Sequence, residues 1–362
     1  MTQRDQIDAA RLLLQTSISD RVFPAAVAEV GSRDRVLWRE AFGTLTFDPS
    51  ASSTSDDTIF DLASLTKPLA TTSMLLQLLT THALSVETPV ASFFPEWSGY
   101  ERASATVLDL LEHASGLPAR LLDPPPATRR EFEHDICALP LEYAPRTRSL
   151  YSDLDFILLG FLAEDRGLTT LTQQLATIVH NLDAAVPRPE ASFLSFEVPV
   201  SARARTAPTV ALPEDSRRGQ TLRGEVHDNY AAALGGVAGH AGLFGNASAV
   251  GWVARTILRA ATGDQTLPPP VTPALIRMAT RKSHVPGSSR ALGWDTMLPT
   301  SSCGTQMSPA AFGHVGFTGT SLWIDPVLDR YFVLLTNRVC AGGTSDQMQI
   351  VRRRFHELVA KV

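Results

Sequence analysis

Lysine is nearly absent from this chain of 362 residues: among 32 basic residues, only Lys67, Lys282 and Lys361 are lysine. Arginine stays charged at any working pH, so a lysine kept inside an apolar stretch points to a task that needs a removable proton. Cysteine is also scarce. Cys137, Cys303 and Cys340 are odd in number and lack CxxC spacing, which argues against a disulfide framework and fits structural thiols in a reducing compartment. No run approaches the roughly 18 apolar residues of a membrane span. The first ten residues carry Arg4, Asp5 and Asp8 where a signal peptide would be apolar. A cytoplasmic protein without a membrane partner is expected. Basic excess is missing too, and a formal charge of −5 argues against nucleic acid as a partner. The Arg352-Arg353-Arg354 run reads as one solvated side of a C-terminal helix.

With 44% hydrophobic residues the chain can bury a large core, and it has neither a long polar linker nor a fixed-period repeat. One catalytic unit over residues 1–362 is expected. Residues 3–18 space Ile7, Ala10, Leu14 and Ile18 as an amphipathic helix. Residues 25–30 and 35–42 read as strands joined by a turn at Gly31-Ser32-Arg33-Asp34. Helical patterns fill 62–265, broken by Pro124-Pro125-Pro126 and by a proline- and arginine-rich stretch at 185–224. Residues 311–317, 320–325 and 330–337 read as consecutive strands. A last helix at 344–361 lines up Met348, Val351, Phe355 and Leu358. The fold class is α+β: both termini build one antiparallel sheet flanked by helices, an α/β lobe of about 1–61 and 266–362, and a mostly helical lobe of about 62–265 is inserted between them. A cleft between the lobes is the expected site, with residues 121–135 and 185–224 shaping it.

Three segments carry chemistry. Ser64-Leu65-Thr66-Lys67 is a Ser-x-x-Lys before an apolar helix; the spacing of three puts the amine and the hydroxyl on one face. A serine at a helix start gains from the dipole, and burial lowers a lysine's pKa until it can accept the serine proton. Tyr151-Ser152-Asp153 follows, where Tyr151 is placed to relay a proton and Ser152 or Asp153 also suits a helix N-cap. Last, Gly313-His314-Val315-Gly316-Phe317 is a glycine-rich strand along which a substrate can lie. A backbone N–H near Phe317, with that of Ser64, would form a two-donor oxyanion hole.

Ser-x-x-Lys, a Tyr-x-Asn relative and His-x-Gly, in this order, resemble the serine β-lactamase and penicillin-binding-protein superfamily, and most nearly its class C-like branch of D-alanyl-D-alanine peptidases, D-aminopeptidases and family VIII carboxylesterases. Leu111 to Leu117 and the glycine-rich Gly235 to Gly245 extend the likeness. The resemblance implies a β-lactamase/transpeptidase-like fold, Ser64 as acylated nucleophile, Lys67 as activator and Tyr151 as general base and acid. It implies His314, Val315 and Gly316 as the substrate-binding strand, with Asp153 also facing the substrate. Asp153 stands where many members have asparagine, and His314 where many β-lactamases have lysine; both departures disfavour anionic β-lactams.

His113, His227, His240 and His314 show neither His-x-x-x-His spacing nor a cysteine partner, so no metal or cofactor is expected and structural roles are favoured, with His227-Asp228 the best functional candidate among them. No Gly-x-Ser-x-Gly elbow supports an α/β-hydrolase. The expected function is carboxylesterase-like hydrolysis of a small ester or amide. The alternatives are a β-lactamase or D-amino-acid peptidase, and, from another class, a non-catalytic ligand-binding or sensor protein.

Overall fold

The computed structural model describes every residue except Met1, Leu122, Asp123 and Ala341. Helix Gln3–Ser19 opens the chain with a capping box, in which Thr2 Oγ1 accepts from the Asp5 N–H and the Asp5 carboxylate accepts from the Thr2 N–H. Strands Ala25–Gly31 and Val36–Gly43 follow as a hairpin. They join three later strands, Phe312–Val315, Ser321–Asp325 and Arg330–Thr336, and the two-residue Asp295–Thr296.

The six-stranded antiparallel sheet runs in the order Val36–Gly43, Ala25–Gly31, Arg330–Thr336, Ser321–Asp325, Phe312–Val315, Asp295–Thr296. Register is set at its centre by pairs such as Val27 with Leu335 and Ala28 with Leu334. Every residue of Ala25–Gly31 is buried, because both faces of the sheet are covered. On one face Ala10 and Leu14 of the first helix meet Met348, Val351, Phe355 and Val359 of the last, Ser345–Val359. Against the other lies Ala247–Ala261. There Val27, Val333 and Leu335 share one continuous apolar core with helices Ser73–Thr80, Asp153–Gly167 and Leu171–Ala185. Among the described residues no helix is long and apolar enough to cross a membrane.

Two expectations are corrected. Arg352 is not on a solvated face: it is 9% exposed, and its guanidinium donates to the Gly316 and Thr320 carbonyls. The periodicity contained the reason, since Arg352 lies four residues after Met348 and three before Phe355, on the buried side of the helix. Nor does an α-helix begin at the serine. Ala63–Leu65 is a 3₁₀ turn, Lys67–Thr72 a π-helical segment, and regular α-helix starts only at Ser73. A dipole argument for Ser64 loses its footing, and the π segment marks a local strain of the kind found at functional sites.

The 185–224 stretch holds short ordered pieces, with Leu194–Ser195 pairing Phe244–Gly245 and Thr209–Val210 pairing Thr221–Leu222. In the 121–135 segment, Leu122 and Asp123 lie outside the described residues; Leu121 accepts a hydrogen bond from the Tyr230 hydroxyl at 2.7 Å.

Candidate active site

The turn that carries Ser64 is tied from below by Asp61. Its Oδ1 accepts the Ala63 N–H at 2.8 Å and its Oδ2 the His227 N–H at 2.7 Å. Burial pushes the Asp61 carboxyl up to about 6, against those two bonds. Thr318 and Thr320 hydroxyls donate to the Asp61 and Leu62 carbonyls, which fastens the turn to the glycine-rich strand end. Ala63 sits at φ 49°, a left-handed conformation that costs energy for a residue with a side chain and persists only where the surroundings impose it.

Lys67 is fully buried, and all three ammonium donors are used: Ser64 Oγ at 3.1 Å, Asp153 Oδ1 at 2.8 Å and the His240 carbonyl at 3.1 Å. Burial alone would lower its pKa, but Asp153 and then Tyr151 outweigh it and hold Lys67 above the ordinary value. The expectation of a lysine made neutral by desolvation is thereby corrected. Asp153 opens its helix after the N-cap Ser152, yet its carboxylate turns to Lys67 and Arg120, 2.8 Å from each. Burial works to raise the Asp153 carboxyl, and Lys67 with other cations brings it below the usual range. Its charge is matched by protein cations, so it does not add the unbalanced negative field expected beside the substrate.

The Tyr151 ring centroid is 4.8 Å from Lys67 Nζ, 4.7 Å from the His113 ring and 5.9 Å from that of His314, with the Arg290 guanidinium 5.0 Å away. Beneath it, His113 Nδ1 accepts the Ser152 N–H and faces the Asp155 carboxyl, both at 3.2 Å. Burial drives the Asp155 carboxyl well up and the His113 imidazole well down, so this pair supports the tyrosine as neutral groups.

His314 lies on the Phe312–Val315 strand with Nδ1 2.8 Å from the Val315 carbonyl, and its Nε2 is buried without a partner among the described residues. Burial, then Lys67 and Arg290, hold its imidazole neutral. The Phe317 ring is half exposed, stacked on His227 with centroids 5.6 Å apart. Its carbonyl accepts from Arg338. Among the described residues, no acceptor engages the N–H of Ser64 or of Phe317.

Two cavities meet at Ser64, Tyr151 and Phe317. One, of about 270 Å³, is lined by Arg290, His314, Val315, Gly316, Arg338 and Arg352. The other, of about 330 Å³, takes in Arg120, Asp153, Glu214, His227, Asp228 and His240. Arg338 and Arg352 are buried beside each other; burial and then Arg338 bring Arg352 down to about 9, and among the described residues no carboxylate pairs with either, although Asp295 also lines the cavity.

Ser64, Lys67, Tyr151, Asp153, His314, Val315, Gly316 and Phe317 thus fall around one space. Asp61, Arg120, Arg290, Arg338 and Arg352 were not singled out as site residues from sequence. Only Asp61, an acid alone between Phe60 and Leu62, and Arg352, on an apolar helix face, left a signal.

Comparison with known proteins agrees with this fold. A family model described as Beta-lactamase matches residues 10–352. A putative D-alanyl-D-alanine carboxypeptidase of Escherichia coli strain K12 is 29% identical over 87% of this chain and 79% of its own length. An N-acetylmuramyl-L-alanine amidase of Bacillus subtilis strain 168 is 28% identical over 87% and 77%. Among solved structures, EstCE1, a hydrolase with promiscuous acyltransferase activity, superposes with a TM-score of 0.75 at 17% identity over 99% of both chains. A class C β-lactamase from Rhodobacter sphaeroides gives 0.74 at 17% identity over 98% and 99%. The chain belongs to the Beta-lactamase family and is a serine hydrolase.

Proposed function

We propose that the chain hydrolyses a small ester or amide through an acyl-enzyme on Ser64. The observation that carries this reading is the wholly buried ammonium of Lys67, bonded at once to Ser64 Oγ and Asp153 Oδ1. A lysine so paired serves as a standing positive charge, which leaves Tyr151 to take the Ser64 proton as Oγ attacks the carbonyl carbon. The oxyanion gathers on the Ser64 and Phe317 N–H groups. Tyr151 returns the proton to the departing alcohol or amine, and water then repeats the exchange to release the acid.

The substrate carries a carboxylate directed toward His314, Arg338 and Arg352. The Arg338 guanidinium is spent on the Phe317 and Gly343 carbonyls, but Arg352 keeps a buried Nε without a partner among the described residues. Two adjacent guanidiniums favour an anion from solution, with the Asp295 carboxylate at the same cavity opposing it. The names of the D-alanyl-D-alanine carboxypeptidase relatives fit such a substrate. A second reading, turnover of neutral esters, is favoured by His314, an uncharged imidazole lining that cavity. A reducing, cytoplasmic setting, suggested by the unpaired Cys137, Cys303 and Cys340, is part of the proposal.

The test compares wild type with Ser64→Ala on N-acetyl-D-alanyl-D-alanine, p-nitrophenyl butyrate and nitrocefin, with mass spectrometry for an adduct on Ser64. Dipeptide cleavage lost in the variant supports the carboxylate reading, and ester turnover alone supports the second. No turnover and no adduct would leave a ligand-binding protein.

A further inference from the structure

We infer that Arg120, Asp228 and His240 are positioning residues for the Ser64 reaction, closing with Asp153 a ring that holds the Lys67 ammonium on the serine; this rests on the reading of Ser64 as nucleophile. The ring can be followed atom by atom. Asp153 Oδ1 meets Lys67 Nζ and its Oδ2 meets Arg120 Nη1, each at 2.8 Å. Arg120 Nη1 also reaches Asp228 Oδ2 at 3.3 Å. Asp228 Oδ1 bonds His240 Nε2 at 2.8 Å, and the His240 carbonyl returns to Lys67 Nζ at 3.1 Å.

Cations and carboxylates alternate from Lys67 through Asp153 and Arg120 to Asp228, and His240 joins the last carboxylate back to the ammonium. The arrangement has a mechanical consequence for the serine. Asp153 divides its charge between two cations; if Arg120 were removed, all of it would fall on Lys67 and draw the ammonium off Ser64 Oγ. Arg120 is in turn held on the far side, where Nη2 donates to Asn229 Oδ1 at 2.8 Å and the guanidinium lies 4.1 Å from the Tyr230 ring centroid.

His240 contributes through its backbone. Its carbonyl is the third acceptor of the ammonium, and the bond from its ring to Asp228 fixes where that carbonyl points. The neighbouring Gly239 lets the loop press against helix Asp153–Gly167: a side chain there would meet the Phe156 carbonyl at 2.0 Å. Asp153 and His240, far from Lys67 in sequence, therefore meet on its amine, and Arg120 and Asp228 join the two from behind. Asp228 also caps the following turn through the Ala231 N–H at 2.8 Å. A capping role alone would not reach Lys67.

The test is the rate at which a fluorophosphonate phosphonylates Ser64 with loss of fluoride, followed by intact mass and resolved into a maximal rate and a half-saturation concentration, with melting temperature measured alongside. Arg120→Met is expected to lower the maximal rate about tenfold or more, as displacement of a catalytic group does, with half-saturation little changed. Arg120→Lys should recover part of the rate. Adding Asp153→Asn to Arg120→Met should raise the rate above that of Arg120→Met alone, because the excess negative charge goes with it. If Arg120→Met does not fold, Asp228→Asn, which keeps its size, carries the test with a smaller loss in the same direction. Normal labelling of wild type with unchanged rates in the folded variants overturns the inference and leaves the nucleophile standing. Strictly multiplicative effects of Arg120→Met and Asp153→Asn overturn it as well. Wild type unlabelled at Ser64 overturns both.

Discussion

Lys67 Nζ donates to Asp153 Oδ1 at 2.8 Å in a position where the lysine has no contact with solvent. Such a pair is expensive to break from one side. Asp153→Ala is expected to cost about 3–5 kcal/mol of stability, because it strands a buried ammonium, and Asp153→Asn less; urea unfolding checks both. The pH dependence follows from the two shifts. Lys67, raised from 10.5, contributes stability that is lost only as pH rises through its folded value above that figure. Asp153, lowered from 3.8, contributes stability that is lost only as pH falls through its folded value below that figure. This pair should therefore add no pH dependence to wild-type stability across the neutral range, whereas in Asp153→Asn, where burial is no longer opposed by Asp153, Lys67 should titrate lower and its loss of charge should begin at lower pH.

Tyr151 is the one group beside Ser64 assigned to carry a proton, since Lys67 is held charged. Tyr151→Phe should fold normally, keep the ring against His113, and lose about 10²–10⁴ in kcat, the range typical of a removed general acid–base. A loss below threefold would shift the proton back to Lys67.

Asp61 gives a prediction of opposite sign to Asp153. Its carboxyl, raised by burial from 3.8 to about 6, binds a proton more tightly folded than unfolded, so its favourable share of stability is present at low pH and lost as pH rises through about 6. Relative to Asp61→Asn, wild type should weaken by about 2 kcal/mol between pH 4 and pH 7. Equilibrium urea unfolding across that range measures it.

Arg290 lies over the Tyr151 ring and lines the cavity with Arg338 and Arg352. Arg290→Met is expected to raise KM for a carboxylate-bearing substrate about tenfold, the worth of one half-buried charge-assisted contact, while kcat/KM for a neutral p-nitrophenyl ester changes less than threefold. Equal losses on both substrates would assign Arg290 to holding Tyr151 instead.

Legibility in the sequence followed the range of the interaction. Helix Gln3–Ser19, the Ala25–Gly31 and Val36–Gly43 hairpin and helix Ser345–Val359 emerge within a residue or two of their expected limits, because spacing of apolar residues and turn chemistry act locally. Ser64, Lys67 and Tyr151 were found from two short segments. Arg120 could not be, since its partners Asp153 and Asp228 lie 33 and 108 residues away and nothing beside it in the chain distinguishes it from an exposed arginine.

The sequence by itself determined the order of strands and helices, the family resemblance and the serine with its lysine three residues on. Charge states were decided only by the tertiary structure. Burial and the nearness of Asp153 compete at Lys67 with opposite signs, and the outcome depends on a 2.8 Å contact between residues 86 apart in sequence. Because electrostatic energy varies with distance and surroundings rather than with residue type, the sequence can name the titrating groups, and only the packed molecule sets which of them holds a proton.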